Sequence, residues 1–153
     1  MPHLEFATTI KAPPAACFDL SLSVDAHMAS MGDRSNERAI AGVTAGLMRL
    51  GDTVTWRGRH FGLPFRLTSK IIEYERPVRF VDEQVRGPFR SWHHEHLFEP
   101  LPTGATKMLD RIDFRSPAGL VGVLVDRLVL TRYMSELILR RNGYLRATLE
   151  AQR

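Results

Sequence analysis

The sequence predicts an α+β domain in which seven antiparallel strands form one curved sheet, two short helices follow the first strand, and a long helix closes the chain. Three observations predict it. Segments of β-branched, aromatic and alternating character recur through residues 4–12 and 37–115, separated by Gly/Pro/Asn/Asp turn signals. Those separations are too short for the crossovers that parallel strands need. From Ser116 onward the apolar period changes from two to about 3.6.

The elements follow in order. "LEFATTIKA" reads as a strand and runs into Pro13-Pro14, which end a strand and open a helix. "PAACFDLSLS" and "VDAHMASM" each give one or two helical turns, with Phe18, Leu20, Leu22, Val24 and Met28 as apolar candidates. "ERAIAGV", "LGDTVTWRGRHFG" and "FRLTSKIIEYE" are strands two to four, the last two joined at Gly62-Leu63-Pro64. "VRFVDEQVR", "RSWHHEHLFEP" and "TKMLDRIDFR" complete the sheet, with turns at Gly87-Pro88 and residues 101–104. Ser116-Pro117 is a helix start, with serine as N-cap. Leu120, Leu124, Leu128, Met134, Leu137, Ile138, Leu145 and Leu149 recur at helical intervals. Thirty residues of helix span about 50 Å, so a bend or break is expected near residues 126–132, with Gly143 as a second weak point.

The 153 residues form a single domain, 1–153, of a size that buries roughly 70% of its unfolded surface. The net charge of +4 invites comparison with nucleic-acid binders, but the arginines are dispersed and no basic block occurs, so no nucleic-acid partner is expected. No apolar run approaches the ~20 residues of a membrane span. The start of the sequence carries no signal-peptide pattern and cytoplasm is the expected compartment. The lone Cys17 reads as a buried structural thiol.

In "RSWHHEHLFEP" alternation puts Trp92, His94, His96 and Phe98 on one face. Pairing Gln84 with Trp92 sets Asp82 opposite His94 and Phe80 opposite His96. Pairing Phe98 with Thr106 sets His96 opposite Met108, His94 opposite Asp110 and Trp92 opposite Ile112. One face then holds Phe80, Trp92, Phe98, Met108, Ile112 and Phe114, while Arg79, Glu83, Arg90, Lys107, Arg111 and Arg115 hold the other. Asp82, Gln84, His94, His96 and Asp110 are the polar exceptions on the apolar face. Buried polar groups need partners, so these must bond one another, hold water or contact a polar ligand. An Asp82–His94–Asp110 ladder is expected to raise the histidine's pKa. Val54, Trp56 and His60 share a parity and are also assigned inward. A helix laid on a concave sheet leaves a cavity, a favoured place for a small molecule.

Two sharper chemistries are set aside. Strand geometry puts His94 and His96 about 7 Å apart, and no cysteine or HExxH helix joins them, so no metal or other cofactor is assigned. No GxSxG elbow surrounds Ser91, so no nucleophile pair with His93 is assigned.

With these segments on the page, the chain resembles the START-related superfamily of polyketide cyclases, lipid-transfer proteins and birch-pollen-allergen-like proteins, whose fold is the helix-grip. It looks most like a bacterial branch of cyclase/dehydrase-like and cell-division-inhibitor-like proteins. The resemblance is carried by "LGDTVTWRGRHFG", "RFVDEQVRGPFRSWHHEHLFEP", "TKMLDRIDFRSPAGLVG" and "RRNGYL". Residue by residue the matching pattern is Trp56, His60, Phe80, Asp82, Gln84, Gly87, Pro88, Phe89, His94, His96, Phe98, Asp110 and Pro117. It implies a sheet gripping the last helix around a pocket for small apolar ligands, and it transfers no catalytic residue.

The expected function is therefore binding of a small hydrophobic or aromatic molecule. Trp56, Phe80, Trp92, Phe98 and Met108 would form the wall, and His60, Asp82, Gln84, His94, His96 and Asp110 the polar contacts. The alternative is a cyclase/dehydrase-type enzyme in which His94 or His96, tuned by Asp82 or Asp110, moves protons. A third possibility uses residues 118–133 as an exposed apolar face for a partner or membrane surface. Monomer and homodimer are both open.

Overall fold

A computed structural model describes residues 2–152. Strand β1 (His3–Ile10) leads into helices α1 (Pro14–Ser21) and α2 (Val24–Ser35). Strands β2 (Arg38–Gly42), β3 (Thr53–His60), β4 (Leu63–Glu75), β5 (Arg79–Arg86), β6 (Ser91–Pro100) and β7 (Thr106–Arg115) follow. The C-terminal helical segment comprises α3 (Gly119–Val125), a π-helical stretch (Asp126–Leu130) and α4 (Thr131–Ala151). The seven strands make one antiparallel sheet in the order β1-β7-β6-β5-β4-β3-β2, curved around α4 in the helix-grip arrangement.

Local chemistry explains the boundaries. Pro14 occupies the first position of α1, where its missing N–H is not needed. Ser23 caps α2 by accepting from the Ala26 amide at 3.1 Å. The β3–β4 turn is Phe61-Gly62, both at positive φ, as a type I′ hairpin requires. It lies earlier than Gly62-Leu63-Pro64 because Leu63 and Pro64 already pair with His60 and Arg59.

Alternation sorts the sheet's two faces as expected. Phe80, Phe98, Met108, Ile112 and Phe114 are buried on the concave side. Phe18 of α1 is the keystone there, meeting Tyr74, Phe80 and Phe98 edge-on with ring centroids 5.3 Å apart. On the convex side Glu95 accepts from Arg79 at 2.7 Å and Arg111 at 3.2 Å. Val81 and Leu109, which share the parity of that side, are nonetheless buried. Cys17 is buried in α1, and burial pushes its thiol pKa up.

Four expectations are corrected. The β6–β7 register differs by two residues: Phe98 faces Met108, His96 faces Asp110, His94 faces Ile112 and Trp92 faces Phe114. A two-residue slip keeps every side chain on its face. Ser116 does not cap the helix; α3 begins at Gly119 after Ala118, and Ser116 instead bonds the buried Asp126 through its amide and hydroxyl. Gly143 marks no break in α4, whereas the irregularity expected near residues 126–132 is present as a π-helical stretch between α3 and α4. Only Met134, Leu137, Ile138, Leu145 and Leu149 face the core. Leu120, Leu124 and Leu128 are 90%, 57% and 66% exposed, because the π stretch and buried Asp126 rotate that surface outward.

These packing differences set the stability response. Phe18→Ala is expected to cost about 3–5 kcal/mol in urea denaturation, and Leu120→Ser less than about 0.5 kcal/mol. Equal losses would contradict the assignment of Phe18 to the core and Leu120 to the surface.

Candidate functional site

Between the concave face of the sheet and helices α2 and α4 lies a cavity of about 170 Å³. Its walls are mostly apolar, including Val54, Trp56, Leu67, Ile71, Phe80 and Ile138, and two groups of ionisable side chains reach it.

The first group forms where β5, β6 and β7 adjoin. Asp82 faces His94 across β5–β6, as the sequence predicts. Asp110 faces His96 across β6–β7 and bonds His94 on the diagonal, Nε2 donating to Oδ1 at 2.8 Å. The concave curvature folds the two imidazoles together, with ring centroids 3.7 Å apart and an interplanar angle of 27°. The expected separation of about 7 Å describes a flat strand and does not hold for these rings. His94 Nδ1 lies 4.0 Å from Asp82 Oδ2. His96 lies between the same carboxylates, with Nδ1 3.3 Å from Asp110 Oδ1 and Nε2 3.5 Å from Asp82 Oδ2. Neither His96 contact has hydrogen-bond geometry, so among the described residues both ring nitrogens lack a directed partner.

Helix α4 reaches this group from the other side. Asn142 Nδ2 donates to Asp110 Oδ2 at 2.7 Å, and Arg141 Nη1 lies 3.5 Å from Oδ1. Burial alone would raise the Asp110 pKa, but the hydrogen bond from His94, the close approach of His96 and the charge of Arg141 hold it well below the usual carboxylate range. His94 moves opposite to expectation. Burial, reinforced by its neighbour His96, outweighs the attraction of Asp110 and Asp82 and brings its pKa down to about 4. Desolvation wins over the ladder because the ring is enclosed, and the imidazole is uncharged at neutral pH.

The second group joins α2, the start of β2, β3 and α4. Glu37 accepts from His27 Nε2 at 2.6 Å and from His60 Nε2 at 2.9 Å, and the Tyr133 hydroxyl donates to His60 Nδ1 at 2.5 Å. His27 in turn packs on Trp56 with centroids 4.1 Å apart. Gly58 is required beside it, because a Cβ there would stand 2.8 Å from Glu37 Cγ and 2.9 Å from the Ser35 carbonyl oxygen.

Of the sequence candidates, Trp56, His60, Phe80, Asp82, Trp92, His94 and His96 line the cavity. Phe98, Met108 and Asp110 do not; they lie buried behind its surface. Gln84 turns away, donating to the Phe89 carbonyl at 2.7 Å and accepting from its amide at 3.2 Å to brace the β5–β6 turn. Sequence reasoning missed His27, Glu37, Arg141 and Asn142. Arg141 had a legible signal, since it interrupts the apolar series Met134, Leu137, Ile138, Leu145 and Leu149 on the face of α4 that meets the sheet. Glu37 had none, because it lies between a helix end and a strand start.

Glu37 sets an acid response. Burial pushes its pKa up, but the hydrogen bonds and charges of His27 and His60 dominate and bring it to about 2 from an ordinary 4.5. A depressed carboxylate stabilises the fold above its unfolded pKa and ceases to do so as pH falls through its folded one. This group's contribution, on the order of 3 kcal/mol, is therefore lost between about pH 4.5 and about pH 2. Urea unfolding across that window is expected to be shallower in Glu37→Gln; parallel curves would refute the assignment.

No protein-family model and no curated protein matches the chain. Solved structures do. TTHA0849 from Thermus thermophilus aligns with a TM-score of 0.79 at 15% identity, over 99% of each chain. CV1439 from Chromobacterium violaceum gives 0.71 at 14% identity, over 97% of this chain and 96% of that one. Ginseng major latex-like protein 151 from Panax ginseng gives 0.69 at 14% identity, over 97% of both. At such identities the likeness establishes the fold, which all three share with this chain from end to end.

Proposed function

We propose that the protein binds a small, mostly apolar molecule between the sheet and α4, and that this molecule carries an aromatic or similarly compact ring. The carrying observation is a cavity with apolar walls onto which a few polar groups converge, the usual form of a small-molecule site. Its size narrows the class. A cavity of about 150 Å³ holds benzene, so one of about 170 Å³ suits a ring-sized ligand better than a long acyl chain. Trp56, Phe80 and Trp92 supply aromatic wall, and Asp82, His94 and His96 supply the polar end. This reading accords with the resemblance to the cyclase/dehydrase-like branch, whose superfamily includes carriers.

A second reading, proton transfer of the cyclase/dehydrase type, is favoured by one observation: His94 is uncharged and its Nδ1 is directed toward Asp82 at the cavity wall. With a carbonyl-rich substrate, His94→Ala abolishes turnover on this reading, whereas His93→Ala on the convex face leaves it intact. Equal activity in the two variants would end it.

The sequence contains two tryptophans, and both line the cavity, so selectively excited tryptophan emission reports on that space. Phenol or toluene is expected to change Trp emission and raise Tm by mass action. Ser69→Phe, which projects a ring into the cavity from β4, is expected to remove both responses while the protein stays folded. Unchanged emission and Tm in the natural protein would overturn the binding reading.

A further inference from the structure

We propose that Asp82, His94 and His96 form a binding site for a divalent transition-metal ion of the zinc class. One ligand atom from each residue lies within 4.8 Å of the other two. The arrangement has a direction. Both imidazoles turn one nitrogen toward Asp110: His94 Nε2 at 2.8 Å and His96 Nδ1 at 3.3 Å from the same oxygen. Both turn the other nitrogen toward Asp82: His94 Nδ1 at 4.0 Å and His96 Nε2 at 3.5 Å, again from a single oxygen.

A histidine that donates one N–H to a carboxylate presents a lone pair at its other nitrogen. That is how carboxylate–histidine–metal triads fix the tautomer and aim of a ligand. Here the buried Asp110 fixes His94 in this way, and His96 stacks on that ring with centroids 3.7 Å apart. One nitrogen of each ring and an Asp82 oxygen thus gather in one space, three electron-pair donors within 4.8 Å of one another. His96 gives the independent sign: it is 3% exposed, and among the described residues neither ring nitrogen has a directed hydrogen-bond partner.

The dimensions are close to those required. Ligand bonds of about 2.0–2.2 Å in a tetrahedron place donors roughly 3.4 Å apart. The Asp82 oxygen lies 3.5 Å and 4.0 Å from the two nitrogens, which lie within 4.8 Å of one another, so side-chain rotation has to draw the three donors closer round an ion. Charge is consistent as well. Asp82 and Asp110 bring two negative charges to this end of the cavity and Arg141 one positive, which favours a further cation. Three protein ligands leave a fourth position facing the cavity, the pattern of sites whose metal touches a bound molecule. The proposal goes beyond ligand binding and does not require it.

The test uses the full chain stripped with a chelator, then titrated with Zn²⁺ or Co²⁺ alone. The expected result is one ion per chain, with visible Co²⁺ absorption of a four- or five-coordinate ion. Asp82→Asn, at the cavity wall and least able to disturb folding, should weaken binding at least about 100-fold, as should His96→Gln. Asp110→Asn should weaken it about 10–100-fold, the usual effect of losing an orienting partner. His3→Ala/His93→Ala should change nothing. No saturable binding, or binding that survives in Asp82→Asn and His96→Gln, would overturn the proposal. Phenol binding by the chelated protein is a separate readout, so failure of the metal site and failure of the ligand site are distinguishable.

Discussion

Asp110 is fully enclosed, and a carboxylate in that position is tolerated only when every lone pair is answered. Three elements answer it: β7 carries it, β6 brings His94 and His96, and α4 brings Asn142 and Arg141. Asn142 thereby ties α4 to the sheet, Nδ2 donating to Asp110 Oδ2 at 2.7 Å, while Met134, Leu137, Ile138, Leu145 and Leu149 bury the helix's apolar face. Removing one member of such a buried network typically costs about 3–5 kcal/mol, enough to threaten a domain of ordinary stability.

The cavity is therefore bounded by two polar networks with different chemistry. Around Asp110 two carboxylates, two stacked imidazoles and a guanidinium share a closed space, and desolvation keeps His94 uncharged. Around Glu37 two histidines donate to one carboxylate, and Tyr133 continues the chain of hydrogen bonds toward the β3–β4 turn, where its ring lies against Phe61 with centroids 4.3 Å apart. Apolar wall, including Trp56, Leu67 and Ile71, lies between the two groups.

At residues 119–130 the usual inside-out pattern is inverted. Asp126 is 2% exposed and tied to Ser116, while Leu120, Val121, Leu124 and Leu128 face outward. The sequence pattern reads those leucines as one stripe with Met134 and Leu137, although the interval from Leu128 to Met134 is six residues, out of step with the spacing of three and four on either side. The π-helical stretch falls in that interval and changes the angular increment per residue there.

Strand number, strand order and the inward face were legible because they rest on local rules: a period of two, short turns and a late switch to helical period. That is why Phe80, His94, His96 and Ile112 point inward even though the assumed β6–β7 pairing was two residues out. Parity survives such a slip, but partnership does not, and His94 meets Asp110 diagonally for that reason. Protonation of His94, the choice of Glu37 and Arg141 as pocket groups and the departure of Gln84 toward its own turn were decided by tertiary structure. Each depends on how much water several distant segments exclude together and on which donor arrives from across the cavity. Those quantities are sums over space, and spacing along the chain does not encode them.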